Sequence, residues 1–306
     1  MRWTPLILGI LSVAPVAAEA ALRLYESYFS RPARLFRSDA QTGWSNALNL
    51  VTTRTNAAGE EWSIRTDENG QRLIAQELNT ERRILILGDS LSFGEGIDIK
   101  DRFDVKVLSF LHDARIINTG TMGYGTDQEY VAFRNWKYLL EPGDTVLIVL
   151  NQSDYFDVLR RRFFGRAKPY VEKANGSYVL RPPRIGLWER WSDWSLVARV
   201  VARSIEPTVP ENLDPSQSIE IIRFMLGRIR EEVPRGVKVV LAHQGTRDLL
   251  EPKLGLSSTI FCKFADVCID LDDTLAADPA HLLPDGHWSA SGHTAVARAL
   301  LKALRD

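Results

Sequence analysis

The chain has 306 residues, 45% of them hydrophobic and 25% charged, enough for one large α/β domain with an embellishment or for two small domains. With 38 basic against 39 acidic residues the net charge is −1, which offers no general attraction to phosphate backbones. No nucleic-acid motif is present, so a nucleic-acid partner is not expected. Residues 1–24 read as a targeting segment. Arg2 precedes an apolar stretch from Leu6 to about Leu22, broken by Pro15 and Glu19, and Ala18-Glu19-Ala20 offers a small-residue cleavage site. About 17 apolar residues lie at the lower edge of what spans a bilayer. A cleaved signal peptide and a retained membrane anchor both fit, and either places the rest outside the cytoplasm, periplasmic or secreted.

Residues 25–80 are polar and poorly periodic and are assigned only as an N-terminal extension wrapped on the domain that follows at 81–306. Short apolar runs predict strands at Ile84 to Leu87, Arg115 to Asn118, Thr145 to Leu150, Val237 to Ala242 and Val267 to Leu271, as in a parallel sheet covered on both faces. Helices separate them. Thr126 with Glu129 suggests a capping box, followed by an apolar face of Tyr130, Phe133 and Leu140 that stops at Pro142-Gly143. Asp214-Pro215 opens a second helix that buries Ile221, Ile222, Met225, Leu226 and Ile229 and ends by Pro234. A last helix runs from about Ser289 to Leu304. Such alternation predicts a three-layer αβα sandwich around a five-stranded parallel sheet.

The stretch at about 155–213 is too long for an ordinary connection and reads as an insertion that carries specificity. Within it, Asn175-Gly176 lies between two β-prone runs and predicts a hairpin turn. Trp188, Trp191 and Trp194 fall at helical spacing and read first as a packing stripe that seats the insertion, with a platform for sugar rings as the alternative. Arg160, Arg161, Arg162, Arg166 and Lys168 form a basic cluster, read as solvated surface or as a contact for an anionic polymer or lipid headgroups. Cys262 and Cys268, two cysteines in an exported chain, either form a disulfide or remain buried thiols. Four zinc ligands are lacking, so no metal and no cofactor is expected.

The chemistry-bearing residues lie at the two ends of the domain. Gly88-Asp89-Ser90-Leu91 follows the first apolar run, where an open α/β sheet gathers its ligands. Asp285-Gly286-His287-Trp288 stands near the C-terminus. A serine hydroxyl is a poor nucleophile without a base and a group that orients the base, and His287 and Asp285 supply both. Taken singly, Ser90 also suits a helix N-cap, and Asp285 with His287 a polar loop.

From about Arg83 onward the chain resembles the SGNH or GDSL hydrolases, and four blocks carry the resemblance. Leu87-Gly88-Asp89-Ser90-Leu91-Ser92-Phe93-Gly94 is similar to the nucleophile block, which implies Ser90 as nucleophile. Asn118-Thr119-Gly120-Thr121-Met122-Gly123-Tyr124-Gly125 resembles the block whose second glycine gives an oxyanion donor, here Gly123. The third block departs from the family's Gly-x-Asn-Asp and reads Asn151-Gln152-Ser153-Asp154, so that Ser153 takes the Asn place and Asn151 the Gly place, either able to donate. The fourth, Asp285-Gly286-His287-Trp288, is similar to the Asp-x-His-Trp of a branch that includes the alginate O-acetyltransferase-like proteins. His293, the rival base, falls inside the last helix and reads as a surface or packing residue.

The resemblance implies a flavodoxin-like SGNH fold and a serine esterase. Its Ser90, His287 and Asp285 would carry acyl transfer on an ester-bearing small molecule or polysaccharide, with acetyl as the first acyl group to test. The oxyanion hole would comprise Ser90 and Gly123 with Asn151 or Ser153. An O-acyltransferase acting on a cell-envelope or exported polysaccharide uses the same residues and stands as the alternative. A non-catalytic membrane-tethered binding or assembly protein, suggested by the altered third block, is the reading from another class.

Overall fold

The computed structural model describes residues 14–24, 35–74, 80, 82–192, 194–204, 215–245 and 258–305. The expected leader therefore lies partly outside the described residues, at 1–13, as does the insertion's end at 205–213. A helix, α1, occupies residues 14–24. Two antiparallel hairpins follow, β1 (Phe36–Asp39) with β2 (Gly43–Asn46) and β3 (Val51–Thr55) with β4 (Glu61–Arg65). Over this stretch the extension forms strands that its poorly periodic sequence does not announce. β4 turns Trp62 and Ile64 onto Leu35, Phe93 and Met122 and leaves Glu61 and Arg65 to solvent. With five residues in β4 and only two apolar ones facing inward, the period of two is too brief to stand out in the sequence.

The central sheet is parallel throughout, and its strands are β5 (Arg82–Leu87), β6 (Ala114–Asn118), β7 (Thr145–Leu150), β12 (Lys238–His243) and β13 (Val267–Asp270). In space they run β13-β12-β7-β5-β6. Each expected strand is present, with ends shifted by at most two residues and those of Thr145–Leu150 unchanged. Both faces are apolar, which a parallel sheet requires. On one face Leu85, Leu87, Val146, Ile148, Leu150, Val239 and Leu241 meet α4 (Thr126–Trp136) and α8 (Pro215–Glu232). On the other, Ile84, Ile86, Leu147, Val149, Val240 and Ala242 meet α3 (Phe103–Leu108) and the last helix, α10 (Ala290–Arg305). The result is the expected three-layer αβα sandwich.

The remaining short helices are α2 (Ser90–Phe93), α5 (Asp154–Asp157), α6 (Leu187–Trp191), α7 (Leu196–Ser204) and α9 (Asp272–Ala276), and the insertion carries β8 (Arg162–Phe163), β9 (Arg166–Ala167), β10 (Tyr170–Ala174) and β11 (Ser177–Arg181). Asn175 and Gly176 join β10 to β11 with φ of 51° and 80°, the left-handed pair that a two-residue hairpin turn demands. The α4 cap differs from expectation. Gly125, not Thr126, is the N-cap, and the Gln128 side chain accepts from its N–H at 3.3 Å. Thr126 instead donates its hydroxyl to the buried Asp154 at 3.0 Å.

Ile148 is 2% exposed in the central strand β7. Ile148→Ala is expected to lower unfolding free energy by about 2–5 kcal/mol, read from the urea midpoint, because packing this tight closes poorly over a lost side chain.

Candidate active site

The strand order reverses between β5 and its neighbours β6 and β7, and in open α/β sheets a crevice forms at the carboxyl ends of such strands. Three loops converge there. Ser90 follows β5, Gly120 to Gly123 follow β6, and Asn151 to Asp154 follow β7. The turn after β5 is tight. A Cβ on Gly88 would stand 2.1 Å from Ser92 Oγ, and one on Gly120 2.5 Å from Phe93 N. These two glycines let β5, β6 and α2 approach closely.

Ser90 is not the N-cap of α2. Asp89 fills that role, its carboxylate accepting the Leu91 N–H at 2.9 Å, and the Ser90 hydroxyl is left to face the crevice. His287 Nε2 lies 2.9 Å from Ser90 Oγ, across a sequence separation of 197. A turn with Gly286 at φ 89° aims the imidazole, tied by Leu283 N–H to His287 O at 2.7 Å and by His287 N–H to Asp285 Oδ1 at 3.2 Å. Behind it Trp288 is fully buried, edge-on to Phe103 and His293. Asp285 Oδ2 stands 3.1 Å from His287 Nδ1, within ion-pair range but off the N–H axis, so Nδ1 has no aligned hydrogen bond.

Sequence reasoning passed over Glu95. It lies between the left-handed glycines 94 and 96, and its Oε2 reaches His287 Nε2 at 3.3 Å, beside Ser90. Burial disfavours the charged imidazolium, but the carboxylates of Glu95 and Asp285 outweigh burial and push the His287 pKa up to about 9. The signal available in sequence was an acidic residue a single turn beyond the serine, in Gly94-Glu95-Gly96. The imidazole resonance of His287 should titrate near pH 9. Glu95→Gln removes the carboxylate that raises the imidazole pKa most and is expected to bring the midpoint down toward the ordinary value of about 6.5, followed by NMR across the pH range. An unchanged midpoint would rule out Glu95 as the cause.

Among the described residues no carbonyl accepts the backbone N–H of Ser90 or Gly123. Gly123 has φ 75° in a turn closed by Tyr124 N–H to Thr121 O at 3.1 Å, and a side chain there would strike the Phe163 and Phe164 rings at 2.6 and 2.7 Å. The two candidates of the third block behave differently. Ser153 gives its hydroxyl to Asp89 at 3.0 Å and its N–H to Asn151 Oδ1 at 2.7 Å. Asn151, 6% exposed, keeps a buried Nδ2 with no acceptor. Asp154 fixes the loop from below by accepting the Asn151 N–H at 2.9 Å.

No protein-family model matches the sequence, and no curated protein does. Several solved structures align with it. A member of the lipolytic G-D-S-L family from Veillonella parvula is 12% identical, covering 72% of this chain and 97% of its own, with a TM-score of 0.43. An acetyl-xylooligosaccharide esterase from Geobacillus, solved as a mutant, is 13% identical, covering 76% and 97%, with a TM-score of 0.42. A lipolytic G-D-S-L protein from Desulfitobacterium hafniense is 13% identical, covering 71% and 99%, with a TM-score of 0.41.

The other residues singled out in the sequence fall elsewhere. His293, 1% exposed, packs between Phe103 and Trp288 and accepts the Phe103 N–H on Nδ1 at 3.1 Å, a packing histidine. The solvated-surface reading of the basic cluster is corrected at Lys168, Arg162 and Arg160. Lys168 is 1% exposed and ion-paired to the buried Asp127 at 2.7 Å, Arg162 pairs with the buried Glu189, and Arg160 reaches Asp157 at 2.8 Å. Cys262 and Cys268 form a disulfide. With His243 they are the one described group close enough to share a metal ion, but the S–S bond takes both thiolates. Trp188, Trp191 and Trp194 are 47%, 60% and 78% exposed, so the packing-stripe reading fails.

Proposed function

We propose that the protein is a serine esterase of the SGNH type acting outside the cytoplasm. The observation that carries this reading is the 2.9 Å contact between Ser90 Oγ and His287 Nε2 at the switch point of the sheet. A neutral imidazole takes the hydroxyl proton on Nε2 as Oγ bonds to the ester carbonyl carbon. The N–H groups of Ser90 and Gly123 and the Asn151 amide hold the oxyanion. The imidazolium then returns its proton to the departing alkoxide, leaving an acyl ester on Ser90, and water deacylates it by the same relay. Asp285, 3.1 Å from Nδ1, offsets the imidazolium charge. Of the two third-block candidates, Asn151 is the donor, because the Ser153 proton is already committed to Asp89.

Acetyl esters of a cell-envelope or exported polysaccharide are the proposed substrate, on the strength of the Asp-x-His-Trp block and the N-terminal segment. A second reading, O-acyltransferase, is favoured by a groove of 390 Å³ between the β3–β4 hairpin and residues 280–291, which adjoins Glu95 through Gly96 and Asp285 through Pro284. Asn56, Glu60, Asp98, Asp101 and Ser291 line it with the groups that sugar hydroxyls pair with. A fluorophosphonate probe tests the common core of both. Labelling of the folded chain that vanishes in Ser90→Ala supports an activated nucleophile, whereas a folded but unlabelled protein favours the non-catalytic binding protein. Turnover of p-nitrophenyl acetate with and without an oligosaccharide acceptor then separates hydrolysis from transfer.

A further inference from the structure

Helix α6 is built inside out. Its one buried residue is the acidic Glu189, 3% exposed, which pairs with Arg162 and accepts the Ala167 N–H at 2.9 Å. Its apolar residues point the other way. Leu187 is 68% exposed, and Trp188 and Trp191 stand beside it at helical spacing. Trp194 continues the face into the turn before α7, where Val200 is 52% exposed. Aromatic and aliphatic side chains this exposed along α6 and the turn after it oppose the hydrophobic effect unless another phase covers them.

Helix α1 indicates which phase. Its two charged residues are both engaged with this region: Glu19 Oε2 accepts Ser195 Oγ–H at 2.8 Å and Val197 N–H at 3.1 Å, and Arg23 donates to Trp194 O at 2.7 Å. Every other residue of α1 is apolar, and apart from Leu22 all are exposed, Val16 at 69% and Leu24 at 63%. The apolar stretch from Leu6 continues N-terminally from this helix, outside the described residues. Among the described residues no helix is long and apolar enough to cross a membrane. An apolar helix docked by its polar side beside a tryptophan patch nevertheless has the composition of an interfacial element. Tryptophan concentrates where hydrocarbon meets headgroups, since its ring is apolar and its N–H needs a polar partner. Exposed Arg184 and Arg190 flank the patch with the charge that anionic headgroups attract. A sugar platform would explain the rings but not the bare apolar helix hydrogen-bonded beside them. Glu19 also lies between Ala18 and Ala20, so cleavage there would sever α1 from the contacts it makes with Ser195 and Val197.

We infer that Trp188, Trp191 and Trp194, together with residues 14–24, form one face that sits in the headgroup layer of a phospholipid bilayer. The proposal is independent of the catalytic reading, and its readout is not activity. The full-length chain with Trp3→Phe, which retains seven of the eight tryptophans, is reconstituted with phosphatidylethanolamine/phosphatidylglycerol vesicles containing lipid brominated near the headgroup end of the acyl chain. Trp44, Trp62 and Trp288 are buried in the protein and serve as the unquenched background.

The Trp3→Phe chain is expected to float with vesicles and to lose emission to bromine. A chain that also carries Trp188→Phe, Trp191→Phe and Trp194→Phe should float but lose nearly all of that quenching. Trp194→Phe alone, at the most exposed ring, guards against misfolding and should remove part of it. Equal fractional quenching with and without the three tryptophans would overturn the proposal, as would a floating protein without quenching or one that does not float. An emission shift produced by oligosaccharide and not by vesicles would assign the platform to sugar instead.

Discussion

Ser90→Ala is expected to lower p-nitrophenyl acetate turnover by about a thousandfold to a millionfold, and the double variant Ser90→Ala/His287→Ala to lose no more than either single one. In the proposed relay the two side chains act as one unit. Without the imidazole the hydroxyl keeps its proton, and without the hydroxyl the imidazole has no proton to take. Residual activity in all three variants would come from the oxyanion donors and from binding, which neither substitution touches. Asp285→Ala should cost less, because this carboxylate is 43% exposed and meets Nδ1 off-axis, so water can replace much of what it does. Losses that multiply in the double variant would mean that the two residues act separately, and the relay drawn here would be wrong.

The resting geometry also sets a pH dependence. With a pKa of about 9, the imidazole is protonated at neutral pH and cannot accept from Ser90. The acid limb of kcat/KM should therefore rise through about pH 9 in the free enzyme, and Glu95→Gln should carry it downward with the titration of His287. Activity gained by Glu95→Gln at pH 7 is the corresponding expectation.

The sheet was legible because a parallel strand is covered on both faces, which turns each into a continuous apolar run such as Thr145 to Leu150 that ends at a glycine or polar residue. That Ser90, His287 and Asp285 meet was legible for another reason: each sits in a short block whose glycine geometry is local, Gly88 before the serine and Gly286 before the histidine. Three features were not. The hairpins at residues 36–65 bury few residues, so their period leaves little trace. Glu95 acquires its place only when the C-terminal loop folds back over α2, a contact between positions 95 and 287 that no local pattern encodes. The orientation of α6 inverted the usual inference, since tryptophans at helical spacing ordinarily face a core, and here the buried partner is Glu189 bonded to Arg162 and Ala167.

The altered third block gives the second large expectation. Asn151→Ala should lower kcat by about a hundredfold to a thousandfold with little change in KM, the size found when one side-chain donor leaves an oxyanion hole. Ser153→Ala should change kcat far less. The asymmetry follows from hydrogen bonds already made in the resting site. Ser153 holds Asp89, which caps α2, so its hydroxyl supports the turn that carries Ser90 and has no proton to spare. Asn151 uses its Oδ1 to hold the Ser153 N–H and keeps Nδ2 buried without an acceptor. A buried N–H of that kind costs about 1–3 kcal/mol when unpaired, and an oxygen that becomes negative only in the transition state would recover that energy where it speeds the reaction. Asn151→Asp separates support from donation, because it retains the oxygen that Ser153 requires and removes the N–H. Its loss in kcat should match or exceed that of Asn151→Ala, with the loop still in place. Near-wild-type kcat in Asn151→Asp, or a larger loss in Ser153→Ala, would move the third donor to Ser153.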